Sequence, residues 1–165
     1  MKKIKYYMFF LILGIAIQIR DAVGFPSEAC ELDKYRVVNF LLTKNFECDY
    51  KVSAHDVMRV IDITNIFWNW ETSNQNRYKL FSVKYKDELN KLYKIKSGNE
   101  YIMPDGEYER TWSGYMVEKI KITADTLIEV EVIINWQQEG YSGQKSYVFT
   151  FIKEKGAWMI VGIIS

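Results

Sequence analysis

The stretch from Thr126 to Trp136 decides the fold, and it reads Thr-Leu-Ile-Glu-Val-Glu-Val-Ile-Ile-Asn-Trp. Side chains alternate between the two faces of a β-strand, so every second residue of this stretch shares a face. One face carries Ile128, Val130, Val132, Ile134 and Trp136. The other carries Glu129, Glu131 and Asn135, with Leu127 and Ile133 between them. One apolar face and one polar face predict a half-buried antiparallel strand.

Further strands are predicted on both sides of this stretch, because β-branched and aromatic residues dominate there. They are Tyr115–Ile122, Tyr147–Lys153 and Trp158–Ile164. Thr123–Asp125 and Glu154–Gly156 have the length of tight turns, and Gly156 suits the positive φ that such turns need. Gln137–Lys145 contains two glycines and is predicted to be a longer, exposed hairpin loop, either a protein contact or a plain hairpin tip.

Helical patterns precede the predicted sheet. Ser53 and Asp56 have the spacing of a capping box, which predicts the start of a helix. Apolar residues then recur at helical spacing, so we expect an amphipathic helix of about five turns that ends near Glu71. The remaining predictions are helices at Gln75–Ser82 and Lys84–Ile95, a short helix or strand at Tyr35–Leu42, and a loop at Asn99–Ser113.

The N-terminus has the pattern of a targeting segment. A basic start, Met1–Lys5, precedes the apolar run Met8–Ile19 and the small-x-small site Ala22–Gly24. The pattern predicts a signal peptide at 1–24, cleavage near Gly24, and a periplasmic or secreted chain that meets the membrane only during export. The apolar run is shorter than the roughly 20 residues that span a bilayer. An uncleaved anchor remains the alternative.

Both cysteines, Cys30 and Cys48, lie in the predicted mature chain. An exported chain meets an oxidising environment, so we expect a disulfide between them that closes a loop of about 19 residues. Two free thiols are the alternative. With only two cysteines and one histidine, His55, the sequence predicts no metal site and no cofactor. His55 falls in the first turn of the long helix, where a solvated residue is expected.

Composition excludes one class of partner. The chain of 165 residues carries a net charge of +1, and its basic residues are dispersed. No electrostatic footprint for nucleic acid is present. Aromatic residues make up 16% of the chain, which is more than a small core requires. Some of them are therefore candidates for a cavity wall or a contact surface.

The order of these elements resembles the nuclear transport factor 2-like superfamily, also called the cystatin-like α+β cone. The helix end Ile66–Trp70, followed by Arg77–Leu89, looks like the first helices of that superfamily. The stretch Gly156–Ile160, with the pattern Trp-x-Ile, looks like part of its terminal hairpin. The resemblance covers Val52–Ile164, which assigns 52–165 to the domain and 25–51 to an N-terminal extension. It implies a curved antiparallel sheet of about four strands, wrapped around the long helix, with a pocket at its open end.

Four aromatic side chains are candidates for the wall of that pocket. Trp68 and Trp136 lie on the inner faces of their elements, and Trp112 and Tyr115 lie where the sheet begins. Aromatic walls with a few polar groups suit an apolar or planar small molecule. Filling of the core is the competing interpretation, and it is favoured for Trp136 and Trp158.

Glu118 is a candidate general base or ligand anchor, because it shares the apolar phase of Met116, Ile120 and Ile122. A carboxylate on a buried face must be paired, shifted in pKa or open to a cavity. If the strand is an edge, or if a bulge shifts its phase, Glu118 would instead lie in water. The rarity of fully buried glutamate favours this solvated alternative.

Two classes of function follow. The first is an exported, non-catalytic binding or interaction module for a small apolar molecule or a protein partner. The resemblance adds a homodimer through the sheet, which is common in that superfamily. The alternative is a small isomerase- or dehydratase-type enzyme that works through Glu118. Proton transfer needs a second, positioned polar residue, and none of the superfamily's catalytic sets matches this sequence residue by residue.

Overall fold

A computed structural model describes residues 29–69, 71–93, 111–138 and 140–165, and in these ranges the chain is an α+β protein. The predicted signal peptide lies outside them. The elements in chain order are β1 (Cys30–Asp33), α1 (Lys34–Thr43), α2 (Ala54–Trp68), α3 (Asn74–Lys79), α4 (Val83–Tyr93), β2 (Thr111–Ala124), β3 (Leu127–Gln138), β4 (Tyr141–Glu154) and β5 (Ala157–Ile164). None of these helices is long and apolar enough to cross a membrane.

The described strands form one antiparallel sheet in the order β1-β2-β3-β4-β5. The four predicted strands are confirmed, and β1 is a fifth that the sequence did not predict. It is only four residues long, with Leu32 alone buried, so it has no alternation to detect. The sheet is not strongly curled, so the wrapped cone that the resemblance implied is not shown.

The β4–β5 hairpin agrees with the prediction from the sequence, and the β3–β4 hairpin differs from it. Lys155 and Gly156 join β4 to β5 with φ values of 51° and 84°, as a two-residue turn of the primed type requires. The predicted loop Gln137–Lys145 is wrong, because β3 runs to Gln138 and β4 begins at Tyr141. Glycine and polar residues suggested a loop, but Gln137 and Gln138 pair with Ser142 and Tyr141 across the hairpin, and the residues from Gly143 to Lys145 continue this pairing with β3.

Helix α2 packs against the inner face of the sheet. The predicted inner residues of β3, Ile128, Val130, Val132 and Ile134, are all buried in one core with the apolar face of α2. Two ring contacts join the layers: Phe67 lies 5.0 Å from Phe149 between centroids, and Trp68 lies 5.1 Å from Tyr147. Both pairs meet edge to face, which is a favoured geometry for aromatic rings.

The segment ahead of α2 shares this core. β1 pairs with β2 at the edge of the sheet, and the open alternative for Tyr35–Leu42 resolves as helix α1. Asp33 caps α1 by accepting a hydrogen bond from the backbone N–H of Arg36, at 3.0 Å. Phe40 is buried on the sheet side of α1 and meets the ring of Phe46 at 6.0 Å.

The ends of α2 are fixed by side chains. The predicted capping box is confirmed, with Ser53 and Asp56 bonding each other's backbone N–H. At the other end the helix stops at Trp68, three residues earlier than predicted. There the buried guanidinium of Arg77 donates to the carbonyl oxygens of Phe67 and Asn69, at 2.8 and 2.9 Å. These hydrogen bonds satisfy acceptors that the helix end leaves free.

Helix α3 is also shorter than predicted, because the chain after it joins the sheet. The amide of Ser82 donates to the carbonyl of Ile160 at 2.9 Å, and the amide of Ile160 donates to the carbonyl of Leu80 at 3.0 Å. This short parallel bridge covers part of the outer edge of β5. An edge that is covered in this way is protected from pairing with other chains.

Candidate functional site

One end of the inner sheet face carries half-buried side chains instead of core. We call it the aromatic end and define it by Tyr115, Trp136, Gly143 and Lys145. Ile134 is buried, whereas Trp136, the next inner residue along β3, is half-buried. Across the strands, Tyr115 and Lys145 lie on either side of Ile134, and Trp136 lies opposite Gly143. The core therefore gives way to a partly open surface at this end.

The indole of Trp136 rests on the backbone of Gly143. A Cβ atom at Gly143 would lie 2.7 Å from Cζ2 and 2.9 Å from Cε2 of that indole, closer than such atoms approach. The close approach therefore requires glycine, a common reason for glycine inside a strand. Trp136 was expected to fill the core, but its indole is held against the sheet and remains partly open.

Tyr115 links the sheet to α2. Its ring packs against the core, and its hydroxyl donates a hydrogen bond to Oδ1 of Asn65. Burial raises the pKa of Tyr115 above its ordinary value, so the hydroxyl stays protonated and remains a donor at neutral pH. The aromatic end thus has a fixed polar group beside Trp136.

Lys145 adds a positive charge to this surface. Its side chain is half-buried, and Nζ lies 5.3 Å from the centroid of the Tyr147 ring. A cation over an aromatic face is attracted by the ring quadrupole, which restrains its position. The arrangement offers an aromatic platform, a hydroxyl and a cation across three adjacent strands.

The other two aromatic candidates have different outcomes. Trp68 is 2% exposed and meets the rings of Phe67, Tyr147 and Phe149, so it is core and not a pocket wall. The backbone of Trp112 in β2 lies opposite the backbone of Trp136 in β3. The side chain of Trp112 lies outside the described part of the chain. Trp158 is buried, as predicted.

Glu118 lies at a bulge in β2, as the sequence indicated. The register shifts between Val117 and Lys119, so Val117 packs against the core while Met116 is 45% exposed. The carboxylate is nevertheless not fully wet, because the side chain is half-buried and Oε2 is enclosed. That oxygen has no hydrogen-bond partner among the described residues.

A second polar centre, around Asp56, was predicted only as a helix cap. Its Oδ2 accepts hydrogen bonds from the backbone N–H and the hydroxyl of Ser53, at 3.0 and 2.7 Å. Its Oδ1 accepts from Nζ of Lys153 at 2.7 Å and from Nε1 of Trp158 at 2.8 Å. Lys153 and Trp158 are cross-strand partners in β4 and β5, so one carboxylate joins the start of α2 to two strands.

The surroundings of Asp56 keep it ionised. Burial alone would raise the pKa of the carboxyl, but the hydrogen bonds from Lys153, Trp158 and Ser53 outweigh it and hold the pKa well below its usual range. A carboxylate this firmly ionised is a poor proton acceptor near neutral pH. The centre therefore joins the start of α2 to β4 and β5 through an ionised carboxylate.

The predicted disulfide is absent from the structure, where Cys30 and Cys48 are both free and half-buried. The two cysteines nevertheless lie at the same cleft. The Cys30 thiol also lies 3.6 Å from the carbonyl oxygen of Glu47. Both sulfurs line an open cleft of about 400 Å³.

Charged side chains cover the outer face of the sheet. Lys121 lies between Glu31 and Glu129 across neighbouring strands, and Lys119 lies beside Glu131. Nζ of Lys119 is 3.9 Å from a carboxylate oxygen of Glu31. These mixed charges indicate a solvated surface, with each charge set against its opposite on the adjoining strand.

The remaining polar candidates lie apart from the aromatic end. His55 is exposed, as predicted, and Asp62 and Glu71 are exposed as well. Within the described ranges, no three side chains of the metal-binding types converge. No protein-family model matches the sequence, and no curated protein or solved structure shows significant similarity to it. The function must therefore be argued from the geometry.

Proposed function

We propose that this chain is an exported, non-catalytic binding module that holds a small, planar, apolar molecule at the aromatic end. The observation that carries the proposal is the half-open indole of Trp136, held against Gly143 on the inner face of the sheet. A side chain that only filled the core would be enclosed, as Trp68 is. The sequence resemblance, which implied a pocket at the end marked by Trp136 and Tyr115, supports the same location.

The polar groups at this end favour a particular orientation of the ligand. An apolar ring stacks on Trp136, while Lys145 offers a cation and the oxygen of the Tyr115 hydroxyl, which donates its proton to Asn65, can accept a hydrogen bond at the edge. Binding sites for small molecules commonly combine aromatic walls with a few such polar groups. A ligand with a flat apolar body and a negative or polar edge fits these groups best.

A fluorescence titration with anilinonaphthalene sulfonate, a planar apolar anion, tests this proposal. We expect saturable binding by the mature chain and about fivefold weaker binding after Trp136→Ala, since a lost aromatic contact is worth roughly 1 kcal/mol. The matched control is Tyr35→Ala, which removes an aromatic side chain that is 78% exposed on α1. Equal affinity of the wild type and Trp136→Ala would place the probe elsewhere and refute the proposed site.

Export is part of the same proposal. The basic start, apolar run and small-residue site support cleavage near Gly24. Intact-mass measurement of the protein from its own cells should give a chain that begins near Phe25. A mass that includes Met1 would instead support the retained anchor.

A small isomerase- or dehydratase-type enzyme is the second candidate, favoured by one observation: the enclosed, unpartnered Oε2 of Glu118. Such an oxygen suits a base only if a substrate reaches it, and none of the described residues forms a hydrogen bond with it. Glu118→Gln keeps the shape of the side chain and removes the charge. It should leave probe binding within twofold of the wild type, whereas loss of a substrate turnover would favour the enzyme.

A further inference from the structure

Cys30 and Cys48 occupy a site that the proposed ligand binding does not use. Cys30 begins β1 and pairs with Ile122 of β2, while Cys48 lies in the segment between α1 and α2. Both cysteines line the cleft that also contains Arg36, and the Cys30 thiol lies 3.6 Å from the carbonyl oxygen of Glu47, the residue before Cys48. Two thiols that share an open cleft have the placement that disulfide exchange requires.

A bond between these sulfurs would close a ring around α1. The ring starts at the edge strand β1 and ends at Cys48, in the segment that leads into α2. A separate hydrogen bond holds this segment to the sheet, because the backbone N–H of Lys51 donates to Oδ1 of Asp125 at 2.8 Å. Asp125 belongs to the turn between β2 and β3. The bond would therefore secure both ends of the β1–α1 unit, which covers one edge of the sheet.

We propose that Cys30 and Cys48 form a reversible dithiol–disulfide site, which exchanges with a disulfide of the glutathione type and, once oxidised, fastens the β1–α1 unit to the sheet. The site does not depend on the ligand at the aromatic end, so either proposal can fail without the other.

The surroundings assign an order to the two thiols. Burial raises the pKa of Cys30 to about 12, the hydrogen bond to Cys48 acts in the same direction, and the positive charge of Arg36 opposes them. Thiolate is the attacking species, and the Cys30 thiol donates its proton to the carbonyl oxygen of Glu47, 3.6 Å away, which favours the protonated form. Cys48 is therefore the attacking thiol and Cys30 the resolving one.

The exchange is balanced in two steps. The Cys48 thiolate attacks one sulfur of glutathione disulfide, which forms a mixed disulfide at Cys48 and releases one glutathione thiolate. Cys30 then loses its proton and attacks Sγ of Cys48, which forms the Cys30–Cys48 bond and releases the second glutathione. The protein loses two electrons and two protons, and glutathione disulfide becomes two molecules of glutathione.

Oxidation of the full mature chain with glutathione disulfide tests the proposal. We expect both thiols to disappear, one Cys30–Cys48 peptide in the digest, a monomeric product and an increase in Tm of about 10 °C, as the entropy of a closed loop of this length gives for a domain of this size. Dithiothreitol should restore both thiols, remove the linked peptide and return Tm to its starting value. Two persisting thiols, a disulfide between chains, or an unchanged Tm would each overturn it.

Single variants test the order of the thiols. Cys30→Ser should accumulate a mixed disulfide at Cys48 at least ten times faster than Cys48→Ser accumulates one at Cys30. Equal or reversed rates would refute the assignment of Cys48 as the attacking thiol. Far-UV circular dichroism of both variants, compared with the reduced wild type, shows that the rates are measured on folded protein.

Discussion

Replacing Asp56 by alanine tests how the two layers of this protein are joined. The carboxylate accepts four hydrogen bonds, from the backbone and hydroxyl of Ser53, from Lys153 and from Trp158. Asp56→Ala removes all of these acceptors at once. The surrounding donors must then find water or remain unsatisfied, and the cost depends on how deeply each of them is buried.

The indole N–H of Trp158 contributes the largest part of that cost. Trp158 is 4% exposed, and an unsatisfied buried donor costs about 1–3 kcal/mol. The lost half of the capping box adds about 1 kcal/mol. The ammonium of Lys153, on a side chain that is 30% exposed, can be hydrated, so the ion pair adds only about 0.5 kcal/mol. We expect a total loss of about 3 kcal/mol in the free energy of unfolding.

Urea unfolding followed by far-UV circular dichroism measures this loss. For a domain of this size, a loss of about 3 kcal/mol lowers the urea midpoint by roughly 1.5 M. The control is Asp62→Ala, which removes an exposed aspartate from the same helix and should change stability by less than about 0.5 kcal/mol. If Asp56→Ala is no more destabilising than Asp62→Ala, the carboxylate does not join the layers and our reasoning is wrong.

Three further predictions concern acid sensitivity and packing. Because folding lowers the pKa of Asp56, the carboxylate contributes fully to stability above the unfolded pKa of about 3.9, and this contribution is lost as the pH falls further. Urea unfolding should therefore show a stability difference between the wild type and Asp56→Asn that shrinks below about pH 4. A difference that stays constant with pH would contradict this role of Asp56. Arg77→Met should cost about 2 kcal/mol in the same assay by leaving the carbonyls of Phe67 and Asn69 without their donor, and an unchanged midpoint would contradict that role. Gly143→Ala should shift the tryptophan emission spectrum and lower the free energy of unfolding by about 1–2 kcal/mol, because the indole of Trp136 must move away from the new methyl group. An unchanged spectrum would contradict the contact between Trp136 and Gly143.

Local patterns in the sequence predicted much of this fold. Alternation identified the inner face of β3, and the spacing of Ser53 and Asp56 identified the start of α2. Both are properties of neighbouring residues, which the chain alone determines. By contrast, β1 is too short to show a pattern, and it forms a strand only because the edge of β2 offers it a partner.

Contacts between distant residues were harder to predict. Asp56 lies 97 residues from Lys153 and 102 from Trp158, and no local pattern connects them. Trp68 and Trp136 both lie on inner faces, so the sequence could not distinguish core from a partly open surface; that depends on what covers each residue. The proximity of Cys30 and Cys48 was predictable because the chain has only two cysteines.

The central claim is that the aromatic end holds a small molecule in the native protein. Mass spectrometry of the mature chain, purified under native conditions from its own envelope, tests this most directly. We predict a bound, planar apolar molecule at close to one per chain, which is lost from Trp136→Ala and retained by Tyr35→Ala. A chain that carries no small molecule, or that carries a stoichiometric protein partner in its place, would contradict the account.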